Sequence, residues 1–120
     1  MPFHRLNVYR KSYDLALELH RLSRAFPKVE QFGLTQQLRK SSKSIPVNIA
    51  EGMGKQESAR DVVRFVRIAI GSCDETRVWL DFARDLGYID SDSHSRFDER
   101  YREVGRMLTG LVKKWRKAQV

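Results

Sequence analysis

One cysteine, three prolines and seven glycines in 120 residues leave this chain short of the residues that staple or break structure. The lone Cys73 makes no internal disulfide, which fits a reducing compartment. No apolar run approaches the ~18 residues of a spanning helix and no lipidation motif is present, so a membrane role is not expected. Met1 to Arg10 carry charged and polar groups where an export signal needs an apolar stretch. The expected location is therefore cytoplasmic. No segment sustains an alternation of period two, which argues against strands. Acidic residues are also in deficit, 15 Asp+Glu against 23 Lys+Arg for a formal net charge of +8, and that imbalance points to a polyanionic partner.

What is present is helical period. The breakers fall in three places, at Pro27 with Phe32-Gly33, at Gly52-Met53-Gly54 and at Gly87, and three breaks divide the chain into four helices. A chain of 120 residues has the length of one domain with one core, residues 1–120. Short connections favour an all-α, antiparallel, up-and-down four-helix bundle.

The first helix is expected over about Leu6 to Ala25, with Val8, Leu15, Leu19, Leu22 and Phe26 in one stripe and Pro27 as its stop. A second apolar stripe, formed by Leu6, Tyr9, Tyr13 and Ala16 or Leu17, exceeds what one buried seam requires and suggests a partner subunit. In the second helix Thr35 is a plausible N-cap. Its inner stripe mixes Leu38, Ile45 and Ile49 with Ser41, and Pro46 predicts a kink or a break into two half-helices.

Ser58 with Asp61 three residues on opens the third helix, and Gly87 follows its expected end at about Leu86. Its apolar arc is wide: Val62, Phe65, Val66, Ala69, Cys73, Thr76, Leu80 and Ala83 in the middle, Val63 and Ile70 on one side, and Ile68, Trp79 and Leu86 on the other. More than one neighbour is implied. Asp90 or Ser91 caps the fourth helix, where Phe97, Tyr101, Val104, Leu108, Leu111 and Trp115 recur at helical spacing.

The outward face of that fourth helix carries Arg102, Arg106, Lys113 and Lys117, flanked by Lys114 and Arg116. At ~1.5 Å per residue the row is roughly 22 Å long, enough to follow several phosphates. It reads equally as a solvated face, with Asp98 or Glu99 paired to Arg102, Glu103 paired to Arg106, and terminal lysines opposing the helix dipole. Further outward cations are Arg39, Lys40 and Lys43 on the second helix and Arg60, Arg64 and Arg67 on the third, and only the fold decides whether these rows meet. Tyr13, Phe65, Tyr101 and Trp115 fall on core stripes, so phosphate contact is favoured over base stacking.

Chemistry beyond binding finds little to work with. Glu51 and Glu75 are the carboxylates to consider for acid–base work, beside Asn48 and Ser72, but no activated nucleophile accompanies them, and an ion pair or a helix-ordering hydrogen bond is the plainer reading. His4, His20 and His94 belong to different elements, and Cys73 faces the expected core, so no metal or cofactor is expected.

Two stretches carry a resemblance: Phe32-Gly-Leu-Thr-Gln-Gln-Leu-Arg-Lys with Ser44-Ile-Pro-Val-Asn-Ile-Ala-Glu-Gly52, and Phe65 with Ile68-Ala-Ile-Gly-Ser72, Glu75 and Leu86-Gly-Tyr-Ile89. They resemble the 23S rRNA intervening-sequence protein family, also called four helix bundle proteins, over nearly the whole chain. The resemblance implies an antiparallel four-helix subunit and, as in relatives, a homopentameric ring or barrel with a basic surface. Relatives include proteins encoded inside insertions of the large ribosomal RNA gene and accessory proteins of diversity-generating retroelements, which work with a reverse transcriptase and RNA. Neither kind is an enzyme by itself. Asn48, Glu51, Gly52, Ser72 and Glu75 match family positions, with a role in the fold or in subunit contact.

The expectation is thus a non-catalytic homo-oligomer that binds structured nucleic acid, RNA in particular, through phosphates. The alternative is a protein-interaction scaffold, for example an accessory subunit for a reverse transcriptase. A hydrolase would rest on Glu51 and Glu75 alone.

Overall fold

The heptads of apolar residues fold as antiparallel helices in a computed structural model that describes residues 2–118. Four helices, α1 (Asn7–Leu22), α2 (Leu34–Met53), α3 (Ala59–Asp85) and α4 (Ser91–Lys117), make a rod of 48 × 23 × 20 Å with no strand among the described residues. Successive helices are neighbours and α1 closes on α4, so the α1/α2 pair and the α3/α4 pair form opposite sides of the bundle. One core runs its length, with Leu19, Leu38, Ile45, Ile49, Val62, Val66, Leu80, Val104 and Leu108 all at zero exposure. Each such side chain contributes roughly 1.5–3 kcal/mol through removal from water.

The helix ends follow local chemistry. Ser58 Oγ accepts from the Asp61 amide at 3.2 Å to start α3, and Asp90 Oδ1 accepts from the Ser93 amide at 2.7 Å to start α4. Gly87, at φ +79°, supplies the left-handed residue after α3, and the Tyr88 amide then reaches back to the Ala83 carbonyl at 2.8 Å.

Three expectations need correction. Thr35 is not the cap of α2 but lies buried inside its first turn; the helix opens at Gly33, and Glu30 Oε1 instead accepts from the Leu34 amide at 3.1 Å. The other oxygen of Glu30 accepts from the Tyr88 hydroxyl at 2.8 Å, so one carboxylate ties the start of α2 to the α3–α4 turn. Pro46 does not break α2, which runs unbroken from Leu34 to Met53 with the proline ring buried, although the ring removes the amide that would have met the Ser42 carbonyl. The first helix ends earlier than expected, at Leu22, and tightens into a 3-10 turn over Ser23–Ala25 before Pro27.

The serines of α2 explain themselves against α3. Ser44 Oγ lies 2.8 Å from Ser72 Oγ, and Thr76 Oγ1 lies 2.9 Å from Ser41 Oγ and 2.8 Å from the Ser72 carbonyl. Asn48 Nδ2 donates to the Ser44 carbonyl and hydroxyl at 2.8 and 2.9 Å. At the end of this polar ladder Gly52 brings the helices together: a Cβ there would stand 3.2 Å from Phe65 Cβ and 3.5 Å from the Val62 carbonyl.

Candidate nucleic-acid interface

Where α3 and α4 run side by side, the short-spaced cations of both helices face one open groove. Near the start of α3 and the end of α4, Arg60, Arg64, Arg67 and Arg116 surround a depression of about 410 Å³ with Val63 at its floor. Further along, a second depression of about 700 Å³ is lined by Arg77, Arg102, Arg106 and Lys113, with one carboxylate, Asp74, among them, around Cys73, Tyr101 and Gly105. From Arg60 to Arg77 the groove covers roughly 25 Å at ~1.5 Å per residue.

The cations divide by how they are held. Arg77 Nε donates to Asp98 Oδ1 at 2.8 Å, and this carboxylate holds the guanidinium above its ordinary pKa. Glu99 lies 3.6 Å from Arg102 and 3.5 Å from Arg106, and Arg64 is 3.7 Å from Asp61; these are loose contacts between exposed groups, worth about 0–1 kcal/mol each. Arg60, Arg67, Lys113 and Arg116 are exposed and have no ion-pair partner among the described residues. Of the pairings expected along α4, only Glu99 with Arg102 forms. Asp98 turns to Arg77, and Glu103 goes to Lys11 at 2.7 Å on α1.

The structure therefore brings Arg60, Arg64, Arg67, Arg102, Arg106 and Lys113 together and adds Arg116 as a lining residue rather than a flanking one. Lys117, in the last turn of α4, lies outside both linings. Arg77 was missed in the sequence because it falls among apolar and acidic neighbours on α3. Only its phase relative to α4 shows that it lines the groove.

The cations of α2 do not join. Arg39 is half-buried, donates from Nε to Ser23 Oγ at 2.8 Å, and places Nη2 3.4 Å from the His20 carbonyl, so it ties down the end of α1. Lys43 Nζ is 3.0 Å from His20 Nδ1, and burial together with that ammonium holds the imidazole below its ordinary pKa. Lys40 is exposed on the same helix.

No exposed aromatic side chain lines the α3/α4 groove; Tyr101 is fully buried beneath it. Its hydroxyl has no hydrogen-bond partner among the described residues, and burial pushes its pKa up. Cys73 donates to the Tyr101 carbonyl at 3.1 Å, and burial pushes its thiol up to about 12, so it stays an uncharged thiol. Phe65 and Trp115 are only half-buried, and Tyr13 is exposed rather than in the core.

The carboxylates considered for acid–base work do not form a pair. Glu51 is exposed beside an apolar groove on the α1/α2 side, and Glu75 is exposed on α3, accepting from Trp79 Nε1 at 3.2 Å. The Ser44–Ser72 contact sets the register, which places the two at levels about ten residues, or ~15 Å, apart along the bundle. The one group of converging ligand atoms among the described residues is Asp81, His94 and Asp98, within 4.8 Å of one another. His94 Nε2 is 2.7 Å from Asp81, Arg77 pairs with Asp98, and Arg84 approaches the imidazole at 3.4 Å, so a cation bound there would displace two guanidinium groups.

Fold and surface together define a helical bundle with a basic groove and, among the described residues, no helix long and apolar enough to cross a membrane. Residues 4–110 match the family described as 23S rRNA-intervening sequence protein, and the chain belongs to that family. It is similar in structure to a protein of unknown function from the S23 ribosomal protein family of Bacteroides thetaiotaomicron, with a TM-score of 0.78 and 24% identity over 88% of this chain and 98% of that one. At that identity the likeness concerns the fold. Among curated proteins none matches the chain.

Proposed function

We propose that the protein is a non-catalytic, cytoplasmic homo-oligomer that holds structured RNA through its phosphates along the α3/α4 groove. The observation that carries this reading is the convergence of Arg60, Arg64, Arg67 and Arg116 from two antiparallel helices on one open depression, continued by Arg77, Arg102, Arg106 and Lys113. Guanidinium groups make forked, charge-assisted hydrogen bonds to phosphate, and four of these eight cations have, among the described residues, no carboxylate to give up first. With no exposed aromatic surface in the groove, backbone shape rather than base identity is what it reads. Repetition over several subunits, five by the family resemblance, multiplies a modest patch through avidity.

The test is binding of a folded RNA to the purified protein across a salt series. Log affinity is expected to fall by ~0.7–0.9 for each phosphate neutralised, per tenfold rise in salt. Absence of binding at low salt sinks the reading. Retention of a protein partner such as a reverse transcriptase, with no RNA contact of its own, would be the scaffold's signature instead.

A further inference from the structure

One carboxylate stands in the basic groove without a counterpart. Asp74 lines the depression of about 700 Å³ among Arg77, Arg102, Arg106 and Lys113, is exposed, and has no ion-pair partner among the described residues. The other acids of this rim are already turned to cations, Asp98 to Arg77 at 2.8 Å and Glu99 loosely to Arg102 and Arg106.

The depression has a shape as well as a charge. On α4 the seven steps from Arg106 to Lys113, ~10 Å of helix, present Thr109 and Gly110 to the groove, and Gly110 has open space where a Cβ would stand. A Cβ on Gly105 would meet only Cys73 Sγ, at 3.9 Å. Two cations thus bracket a stretch of helix bare of long side chains. Two contacts set Asp74 at one end of that stretch: Arg77, three residues on, pairs with Asp98, and Cys73 beside it donates to the Tyr101 carbonyl at 3.1 Å, so Asp74 faces the Arg102–Arg106 turn.

A carboxylate repels phosphate, so in a groove that holds a nucleic-acid backbone it weakens binding unless the ligand brings it a proton donor. The backbone offers few. Phosphates carry none and the base donors of a stem are engaged in pairing, whereas every ribose of RNA presents a 2′-hydroxyl along the wide, shallow minor groove. DNA has no such group.

We infer that Asp74 accepts a hydrogen bond from a ribose 2′-hydroxyl of RNA held in the α3/α4 groove, and so makes the groove select RNA over DNA. This rests on the phosphate-binding reading above and deepens it. The arginines and Lys113 take the phosphates on either side, the bare stretch of α4 lets the ribose come close, and the one anionic acceptor meets its hydroxyl. An O–H donated to a carboxylate is the stronger, charge-assisted kind of bond, and arginine and lysine cannot substitute because they only donate. Thr109 Oγ1 donates to the Gly105 carbonyl at 2.9 Å, which leaves its neutral oxygen as a weaker acceptor.

The test measures binding of the full-length protein, at one low salt concentration, to three hairpins of one sequence: RNA, RNA with 2′-fluorine in place of every 2′-hydroxyl, and DNA. Fluorine keeps the A-form stem and the phosphates and removes the donor. Wild type is expected to bind RNA about 10-fold more tightly than 2′-fluoro RNA. Asp74→Ala then acts in opposite directions: loss of a negative charge from a basic groove raises affinity for the 2′-fluoro hairpin and for DNA about 3-fold, while affinity for RNA falls about 3-fold, and the ratio collapses to about one. Tighter binding of the fluorinated hairpin also shows that the variant is folded. Equal wild-type affinity for RNA and 2′-fluoro RNA overturns the inference. So does an Asp74→Ala that strengthens all three by one factor, since Asp74 then only repels polyanions, and so does one that weakens all three, since the donor is then a base. Those outcomes leave RNA binding by the groove standing; absence of RNA binding at low salt fails that reading and this one with it.

Discussion

The α1/α2 and α3/α4 sides of the bundle are built from the same kind of amphipathic helix and end up with opposite surfaces. On the α1/α2 side the depression is apolar, and the cations Arg39 and Lys43 are turned to neighbouring acceptors on α1. On the α3/α4 side the depression is ringed by arginines, several of them without a partner among the described residues. A net charge of +8 is therefore not a property of the whole surface. Packing engages Arg39 and Lys43 on one side and leaves Arg60, Arg67, Lys113 and Arg116 on the other without an ion-pair partner among the described residues, which is why counting basic residues per helix misjudges where a polyanion docks.

The sharpest way to break that comparison is to neutralise each set in turn. Arg60, Arg64, Arg67 and Arg116 changed together to Gln remove four charge-assisted contacts, so RNA affinity should fall roughly 10²–10³-fold at ~1 kcal/mol or less per contact, and the salt slope should flatten. The matched set Arg39, Lys40 and Lys43 changed to Gln should alter affinity less than about 5-fold by its non-specific charge alone. Equal losses in a salt-resolved binding assay would erase the distinction between the two sides. Next in size is a change that should move stability and not binding. Gly52→Leu forces a side chain into the α2–α3 contact, where even a Cβ meets Phe65 at 3.2 Å, and should cost about 1–3 kcal/mol by chemical denaturation.

Arg39→Ala gives the third and smaller effect, about 1 kcal/mol of stability, because it removes the bond to Ser23 Oγ and leaves that buried hydroxyl without the guanidinium. An unchanged denaturation midpoint would mean Arg39 is as available as Arg67. Beneath the basic groove, Tyr101→Phe deletes a buried hydroxyl that has no partner, so it should stabilise the fold by up to about 1 kcal/mol, a few degrees in Tm, with RNA affinity unaltered. That outcome would separate the floor of the groove from its rim.

Much of this architecture was legible in the chain. The helix count, the caps at Ser58 and Asp90 and the stop at Gly87 follow from local chemistry, because each is settled within a few residues of itself. The cap of α2 was not, since Glu30 reaches it from a preceding turn whose shape is fixed by Tyr88, 58 positions away. That Pro46 would leave α2 unbroken was not legible, because a proline's local cost is outweighed when both flanks of the helix are buried against α1 and α3. The surplus apolar stripe of the first helix was visible as Tyr9, Tyr13 and Leu17, but not that Pro46 and Val47 would complete it into a furrow. The basic groove was half legible: rows on α3 and α4 were apparent, whereas Arg77, Arg116 and the exclusion of Arg39 depend on the rotation of one helix against another. Sequence periodicity does not contain that angle.

The two sides also meet, through α1 and α4, and the smallest expected effect concerns that seam. Arg100 is hydrogen-bonded to Glu18 and Lys11 to Glu103, and these cations hold both carboxyls below their ordinary value of 4.5. A depressed carboxyl pKa means the folded state binds its proton less readily than the unfolded one. The stabilisation is thus fully present above pH 4.5 and is lost as pH falls through the folded-state value. Both pairs are half exposed, so solvent screens them, and the Glu18–Arg100 pair is limited to about 0.2–1 kcal/mol. Arg100→Gln should therefore lower Tm by no more than a few degrees at pH 7, and the gap between variant and wild type should narrow as pH falls from 4.5 through the lower folded-state value. A gap that persisted into acid would show that Arg100 holds α1 to α4 by packing rather than charge, and the join between the two sides would then be apolar like the furrow, not ionic like the groove.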